Sequence, residues 1–308
     1  IGWPGAILEN GDLAGGEVVL GLRSGLDLYA NVRPIKLFEG VRHKIHGHFN
    51  QIWAPEMVDM VILRENTEGL YHSLLHRSAE RAKGSSGYEP PSIDFPGLKG
   101  EVSWDPRPIS RNGSERLIRY GFELAKYREG SPEGERKVTC VDKSNVTRGC
   151  QLFRKVFDEI SSEHPEFKTD YAYIDAFTQW LVRNPEWFDV VVTSNMFGDI
   201  ATDLGSVLQG GMGMAASGNI GDKHAFFEPV HGSAPDIAGT GKANPIATIL
   251  SFSMALRYSL DLDKEADNLD QAVQKVLDDG LRTKDILSKG KKEVSTSQMG
   301  DAIISKLK

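Results

Sequence analysis

The chain has 308 residues, 40% hydrophobic and 26% charged, a composition typical of a globular protein with a substantial core. Its formal charge of −7 and its lack of a basic block exclude a typical nucleic-acid binder, which must neutralise phosphates. With only two cysteines, no membrane-length apolar run and no signal-peptide pattern, we expect a cytoplasmic protein without a membrane partner.

Three short apolar runs rich in β-branched residues predict buried strands. They are residues 58–63 (VDMVIL), 137–141 (KVTCV) and 189–193 (DVVVT). Because these runs are apolar on both faces, they are typical of a parallel sheet that helices cover on each side. We therefore expect such a sheet at the centre of the molecule.

Helical patterns alternate with these strands. Ser114 is a candidate N-cap for a helix that carries Leu117, Leu124 and Ala125. Residues 246–256 are apolar almost all round, which predicts a buried helix. Two more helices, the second ending at Gly280, are marked by apolar residues at helical spacing: Leu152, Val156 and Ile160, then Leu269, Val273, Val276 and Leu277. The alternation of strand and helix indicates the α/β class.

Residues 83–112 form a segment rich in Gly, Pro and Ser with little periodicity. A long surface loop is the more common outcome for such a composition. An extended arm that pairs with a second subunit is the alternative. The residues alone favour the loop.

Polar side chains suited to chemistry follow each predicted strand. They are Arg64 and Tyr71 after the first, Lys143 and Asn145 after the second, and Asn195 and Asp199 after the third. In open α/β sheets the ligand crevice lies outside the carboxyl ends of the strands. The three clusters therefore predict one crevice.

Asp199 and Asp203 are four residues apart, so both carboxylates share one face of a helix that begins near Gly198. Two oxygen ligands at this spacing suit Mg²⁺ or Mn²⁺. An acidic turn that complements the helix dipole would give the same pattern without a metal, and it is the commoner case for the spacing alone.

Five other side chains are candidates for substrate binding and proton transfer. Arg23, Arg33 and Arg64 could hold the carboxylates of a small diacid in bidentate contacts. Lys143 is a candidate general base, because a desolvated lysine can titrate near neutrality, and Tyr71 is a candidate acid. Taken singly, each is more often a surface ion pair, a solvated lysine or a half-buried tyrosine.

The run EPVHGSAPDIAGTGKANP, residues 228–245, is too rich in Gly and Pro to be a regular element. It could cradle an adenosine, with His231 near the base and Asp236 accepting from both ribose hydroxyls, which favours NAD over NADP. An ordinary ordered loop is the alternative. No G-x-G-x-x-G follows a strand, so a standard Rossmann site is not expected.

Together and in this order, these runs resemble the β-decarboxylating dehydrogenases, the family of isocitrate, 3-isopropylmalate, homoisocitrate, tartrate and D-malate dehydrogenases. The resemblance covers nearly the whole chain, through GWP, LDLYANVRP, RENTEGLY, VDKSN, YIDAF, NMFGDIATDLGSVLQGGMGM and FEPVHGSAPDIAG. It implies an oxidoreductase that uses NAD and Mg²⁺ or Mn²⁺. It also implies a two-lobed isopropylmalate-dehydrogenase-like fold with a largely parallel-stranded sheet.

The resemblance divides the chain into two lobes. Residues 1–30 and 210–308 would form the cofactor-binding lobe, and residues 31–209 the substrate and dimerisation lobe of an intertwined homodimer, with 83–112 as its arm. Members of the family begin with a strand and a glycine-rich turn of the GDGIGPE kind, which this sequence lacks. We therefore expect that the N-terminal portion of the first lobe is missing from the sequence.

The resemblance also implies roles for individual residues. Arg23, Arg33 and Arg64 would bind the malate carboxylates, Lys143 of the second subunit would take the 2-hydroxyl proton, and Tyr71 would protonate the enol. The metal ligands would be Asp199 and Asp203 of one subunit with Asp175 of the other. The implied NAD-binding residues are Asn145, His231, Gly232, Ser233, Ala234, Asp236 and Asn244.

In the family, the residues just before the first arginine read the substituent on the third carbon of the substrate. The stretch EVVLGLR carries Glu17 and Val19 where isocitrate enzymes carry Ser and Asn, and Leu20 where homoisocitrate enzymes carry an arginine. Val19 and Leu20 could line a pocket for an isopropyl group. RENTEGLY departs from the RELTGGIY-like form of isopropylmalate enzymes, and GWP resembles the tartrate and D-malate branch. The expected substrate is thus a tartrate- or D-malate-like (2R)-malate, with 3-isopropylmalate as the alternative.

Two readings from other classes remain open. A catalytically silent regulatory subunit on the same fold is one, although the intact Lys143 and Tyr71 count against it. A hydrolase that uses the Asp199 and Asp203 metal is the other, although it leaves residues 228–245 unexplained.

Overall fold

The computed structural model describes residues 14–71 and 95–308, without the side chains of residues 14–17. The helices in these ranges are α1 (Ala14–Gly25), α2 (Arg111–Lys126), α3 (Arg148–Ser161), α4 (Ile174–Arg183), α5 (Asn195–Leu208), α6 (Ile246–Leu260), α7 (Asp263–Asp278) and α8 (Thr296–Ile304). The strands are β1 (Ala30–Lys36), β2 (His43–Ile45), β3 (His48–Asn50), β4 (Asp59–Glu65), β5 (Lys137–Asp142), β6 (Lys168–Tyr173), β7 (Val190–Thr193), β8 (Ala216–Ile220), β9 (Ala225–Pro229), β10 (Leu281–Arg282) and β11 (Lys292–Glu293).

Seven of these strands form one sheet in the order β6-β5-β7-β4-β1-β8-β9. Strands β6, β5, β7 and β4 are mutually parallel, whereas β1 runs antiparallel to both β4 and β8. Strand β8 therefore points the same way as β4, and only β1 and β9 run in the opposite direction. This arrangement confirms the α/β class and the largely parallel sheet.

The three predicted strands are confirmed as β4, β5 and β7, and they are buried on both faces. Along β4, Met60 and Ile62 pack into one hydrophobic cluster, while Val61 and Leu63 pack into a second cluster. Helices α4, α5 and α7 supply side chains to the first cluster, and α2 and α3 supply the second. The continuous apolar runs thus reflect a sheet that helices cover on each side.

Two of the helix predictions need correction. Ser114 does not cap α2, because the helix begins one turn earlier, where the Ser110 side chain accepts a hydrogen bond from the Gly113 amide. The Ser114 hydroxyl instead donates to the Ser110 carbonyl at 2.6 Å. Helix α6 is not buried all round, because β8, β9 and α7 cover only part of its circumference and Phe252 remains 58% exposed. The end of α7 is as predicted, with Gly280 at φ +83°.

Several predictions lie partly outside the described residues. Residues 83–94 of the predicted arm are among them, and residues 95–109 contain no helix or strand. The first 13 residues, which include GWP, also lie outside. The sheet crosses the predicted lobe boundary, because β8 pairs with β1, and the division into lobes stays a prediction. Within residues 14–71 and 95–308, no helix is long and apolar enough to cross a membrane.

A buried histidine joins the β2–β3 region to the end of α5. His43 Nδ1 accepts a hydrogen bond from the Ile52 amide at 3.1 Å, and Nε2 lies 2.9 Å from the Leu208 carbonyl. Because Nδ1 accepts, Nε2 must carry the proton, so the neutral ring satisfies both partners. Burial lowers the pKa of His43 below its ordinary value.

Acidification should weaken the contact that His43 makes between the β2–β3 region and α5. In the unfolded chain the imidazole takes up a proton near pH 6.5, whereas folded His43 resists protonation, so its contribution to stability is complete above about pH 6.5 and is lost below it. We expect the His43 ring to titrate below about pH 6.5 in an NMR pH titration, with faster hydrogen exchange at the Ile52 amide on the acid side. A His43 midpoint above the ordinary histidine value would contradict this assignment.

Candidate active site

The side chain of Arg64 joins the end of β4 to the first turn of α5. It is 2% exposed, and its Nε and Nη2 both donate to Asn195 Oδ1, at 2.9 and 2.7 Å. Its Nη1 donates to Asp199. Asn195 in turn donates through Nδ2 to the Glu68 carbonyl at 2.9 Å. These bonds fix the helix that carries Asp199 against the strand and against the loop that leads to Tyr71.

Gly198 permits this close approach of helix and strand. A Cβ at this position would lie 2.5 Å from the Cβ and 3.1 Å from the Cα of Arg64. No real side chain tolerates such a separation, so only glycine lets α5 pack here without displacing β4.

A second arginine reaches the same helix from β1. Arg33 donates through Nη1 to Thr202, and its guanidinium lies 3.8 Å from Asp199 and 3.7 Å from Asp203. Tyr71 donates from its hydroxyl to Asp199 Oδ2 at 2.7 Å. The structure therefore brings together four of the predicted site residues around Asp199.

The two arginines are held in a poorly hydrated place. Burial lowers the pKa of Arg64 to about 9, and the neighbouring Arg33 charge adds to the effect, while Asp199 opposes it. Burial likewise lowers the pKa of Arg33. Arg23, on α1, lies 3.3 Å from Glu228. The Nε atoms of Arg23 and Arg33 are buried without a hydrogen-bond partner among the described residues, so this place suits an anionic ligand.

The acidic groups of the cluster titrate in opposite directions. Burial favours protonation of Asp199, but Arg64, the Tyr71 hydrogen bond and Arg33 outweigh it and lower the pKa of this carboxyl. Burial raises the pKa of Asp203 despite Arg33, and the Asp199 charge adds to that rise. Burial and the bond to Asp199 raise the pKa of Tyr71, so its hydroxyl keeps its proton. A divalent cation would relieve the repulsion between the two carboxylates, which fits the donor set to Mg²⁺ or Mn²⁺.

Lys143 and Asp175 lie together but apart from this cluster. Lys143 follows β5 and Asp175 opens α4, and the ammonium donates to Asp175 Oδ1 at 2.6 Å. The hydrogen bond from Lys143 lowers the pKa of Asp175, whose side chain is 67% exposed. No three His, Cys, Asp or Glu side chains converge to hold a metal in the part of one chain that the structure describes. A single chain thus carries two separate half-sites.

We call them the arginine half-site and the lysine half-site. The arginine half-site is Arg23, Arg33, Arg64, Tyr71, Asp199 and Asp203, and the lysine half-site is Lys143 and Asp175.

The predicted cofactor loop, residues 228–245, is irregular, as its composition indicates. Asp236 is exposed on the short 3₁₀ turn Pro235–Ile237. Ala234, just before this turn, has a left-handed backbone conformation with φ +43°. His231 Nδ1 contacts the Gly232 carbonyl at 2.8 Å. Asn244 is buried. Its Nδ2 donates to Asp285 at 3.0 Å, and its Oδ1 accepts from the amide of Ile246, the first residue of α6. The roles of these residues and of Ser233 toward NAD stay predictions.

The remaining predicted residues sit beside the two half-sites. Asn145 is exposed two residues after Lys143, and Val19 and Leu20 are half-buried on α1, about one turn before Arg23.

Sequence reasoning did not assign roles to three residues that organise the cluster. Asn195 clamps Arg64, Thr202 accepts from Arg33, and Glu228 pairs with Arg23. The first two could have been found, since Asn195 and Thr202 lie on the same helix as Asp199, about one turn before and one turn after it. No local signal marks Glu228, whose partner is 205 residues away along the chain.

Comparison with known proteins gives a consistent result. A family model described as isocitrate/isopropylmalate dehydrogenase matches residues 5–303. A 3-isopropylmalate dehydrogenase of Desulfitobacterium hafniense (strain Y51) is 40% identical over 289 residues, which cover 94% of this chain and 74% of that protein. A 3-isopropylmalate dehydrogenase of Pelagibacter ubique (strain HTCC1062) is 43% identical, with the same two coverages.

A solved structure agrees with these relatives. The crystal structure of isocitrate dehydrogenase from Methylococcus capsulatus has a TM-score of 0.74 and 36% identity, and it covers 93% of this chain and 75% of that chain. The likeness therefore extends through the whole described fold.

Substitution of Gly198 should lower the stability of the protein and disturb the packing of α5 against Arg64. Gly198→Ala places a methyl group against Cβ and Cγ of Arg64, and we expect it to lower the free energy of unfolding by about 1–3 kcal/mol. Urea denaturation measures the change. Gly300→Ala in α8 is the matched control, since a Cβ there meets nothing within 4 Å and should be neutral or stabilising. Equal midpoints for the two variants would contradict the packing argument.

Proposed function

The chain belongs to the isocitrate/isopropylmalate dehydrogenase family, and we propose that within this family it oxidises and decarboxylates 3-isopropylmalate. Membership makes it an NAD-dependent decarboxylating dehydrogenase that uses Mg²⁺ or Mn²⁺. The relatives quoted above, named 3-isopropylmalate dehydrogenases and 40–43% identical, support the isopropylmalate alternative rather than the tartrate- or D-malate-like preference. The tartrate and D-malate preference drawn from GWP and RENTEGLY has no support from these comparisons.

The arginine half-site is the observation that carries this proposal. Buried guanidinium groups bind carboxylates strongly, because they present paired donors that a carboxylate can accept together. The unpartnered Nε atoms of Arg23 and Arg33 are such donors. A malate-type acid with two carboxylates would supply acceptors for these Nε donors.

The side chain on the third carbon would face α1. Val19 and Leu20 are half-buried and apolar, and they precede Arg23 by about one turn. A branched alkyl group would be better placed against these two residues than a hydroxyl group, because burial of a hydroxyl without a partner costs free energy. This contrast favours an isopropyl substituent over the hydroxyl of tartrate.

The proton transfers fall to Lys143 and Tyr71. NAD, when bound, would supply the hydride acceptor, and a divalent ion held by Asp199 and Asp203 would supply the positive charge that polarises the new carbonyl. Lys143 Nζ removes the proton of the 2-hydroxyl as a neutral amine, after its ion pair with Asp175 has opened and the ammonium has passed one proton to solvent. The Tyr71 hydroxyl gives a proton to the carbon that has lost carbon dioxide, and its raised pKa keeps the hydroxyl protonated until that step.

The two half-sites complete each other in a homodimer. Asp199 and Asp203 would hold the ion together with Asp175 of a second subunit, which would also bring Lys143 to the substrate. The separation of the half-sites within one chain supports this arrangement, because no third metal ligand approaches Asp199 and Asp203 among the described residues.

A substrate panel tests the reaction and the acid. NADH formation should give the highest kcat/KM with 3-isopropylmalate, compared with D-malate, tartrate, isocitrate and homoisocitrate, in the presence of Mn²⁺. NADP in place of NAD serves as the cofactor control. A higher kcat/KM for D-malate or tartrate would restore the first preference. A folded protein that turns over none of the five acids would favour the regulatory subunit.

Subunit mixing tests the shared site. Lys143→Ala and Tyr71→Phe dimers should each be inactive, but a mixed dimer would pair an intact Tyr71 with an intact Lys143 at one of its two sites. Random mixing should therefore restore about a quarter of wild-type activity, since half of the dimers are mixed and each has one working site. Activity that stays absent after verified subunit exchange would place both residues in one subunit's site.

A further inference from the structure

Arg107 contacts the turn that follows Lys143 and the start of the helix that carries Asp199 and Asp203. Its Nη1 donates to Thr147 Oγ1 at 3.3 Å, and its Nη2 donates to Ser194 Oγ at 3.1 Å. The same guanidinium lies 4.5 Å from the ring centroid of Phe197. One side chain thus joins the start of α3 to the start of α5.

The Thr147 end of this contact belongs to the turn that carries Lys143. The amides of Val146 and Thr147 both donate to the Lys143 carbonyl at 3.0 Å. The Thr147 hydroxyl lies 3.4 Å from the same carbonyl. A shift of Thr147 would therefore move the backbone from which the Lys143 side chain extends.

The Ser194 end belongs to the helix that carries the metal carboxylates. Ser194 is the N-cap of α5, and its carbonyl accepts from the Gly198 amide at 2.8 Å, one residue before Asp199. Phe197 lies in this same first turn. A shift of Arg107 would thus be felt by the turn that positions Asp199.

Both hydroxyls would normally serve another purpose. Thr147 and Ser194 are the N-caps of α3 and α5, yet neither side chain caps its own helix. A side-chain cap normally stabilises a helix start. Two helices therefore leave their first amides without side-chain caps, while the hydroxyls accept from Arg107.

The backbone beside Arg107 is itself fixed to the arginine half-site. The Gly69 amide donates to the Pro108 carbonyl at 2.9 Å, and the Ser110 amide donates to Glu68 at 2.9 Å. Glu68 and Gly69 lie in the loop that leads to Tyr71. The guanidinium is therefore held at a defined place relative to that half-site.

We propose that Arg107 is a positioning residue that couples the lysine half-site of a chain to its arginine half-site. The inference rests on the proposed function: because the half-sites of one chain would serve two different active sites, Arg107 would link the two sites of the dimer. Its fork suits this role, since two separate nitrogens reach two hydroxyls on different helices.

The test uses mixed dimers of Lys143→Ala and Tyr71→Phe chains, which have a single working site. Arg107→Met is placed either in the chain that supplies Lys143 or in the chain that supplies Asp199 and Asp203. In the first placement we expect kcat to fall about tenfold with little change in KM for the acid and a shifted pH profile. In the second placement we expect weaker Mn²⁺ binding, so that more Mn²⁺ is needed for the same activity, and a higher KM for the acid. Arg111→Met, which removes an exposed guanidinium nearby, should change neither.

Two more measurements separate this role from a general loss of stability. Arg107→Lys keeps the charge but cannot donate along two fixed directions, so it should behave like Arg107→Met, and full activity in this variant would overturn the bridge. Hydrogen exchange at the Thr147 and Gly198 amides should accelerate in Arg107→Met, with strand β5 unchanged. Hydrogen exchange does not require turnover. It therefore tests the Arg107 contacts even if the parent mixed dimer is inactive and the proposal of a shared active site is wrong. Unchanged exchange at both amides, or equal kinetic effects in both placements, would overturn the proposal.

Discussion

The buried guanidinium of Arg64 joins the end of β4 to the first turn of α5, and the geometry of the arginine half-site follows from that joint. Asn195 accepts two of its hydrogen bonds and Asp199 accepts a third. This contact requires glycine at position 198, because any Cβ there would collide with Cβ and Cγ of Arg64. With α5 held in this way, Asp199 accepts the hydrogen bond of the Tyr71 hydroxyl, and the Arg33 guanidinium lies close to both Asp199 and Asp203.

Burial of so much charge in one place is unfavourable unless the charges are balanced. Asp199 offsets part of the repulsion between Arg33 and Arg64, and Glu228 offsets part of the charge of Arg23. Burial is the main cause of the lowered pKa values of Arg33 and Arg64, and a neighbouring arginine adds to the lowering in each case. The Nε atoms of Arg23 and Arg33 still lack a hydrogen-bond partner among the described residues, so an anionic ligand could accept hydrogen bonds from them.

The sequence predicted the fold well where the signal is local. Residues 58–63, 137–141 and 189–193 became β4, β5 and β7 because a strand apolar on both faces can only be central in a covered sheet. The cap of α2 was misplaced by one turn because Ser110 and Ser114 are equally good caps by type, and only the backbone path distinguishes them. Exposure of Phe252 on α6 could not be foreseen, because an apolar helix does not reveal which of its faces has a partner. Likewise, Glu228 acts through a partner far away in the chain, and Arg107 lies in a segment without periodicity.

The ion pair between Lys143 and Asp175 has a consequence for a solitary chain. Its amine is occupied by the very carboxylate that, in the proposed dimer, would turn toward the metal of the other subunit. A monomer would therefore keep its Lys143 ammonium paired with its own Asp175. Because only the proposed dimer would hold complete sites, activity would rise with the square of the protein concentration at high dilution.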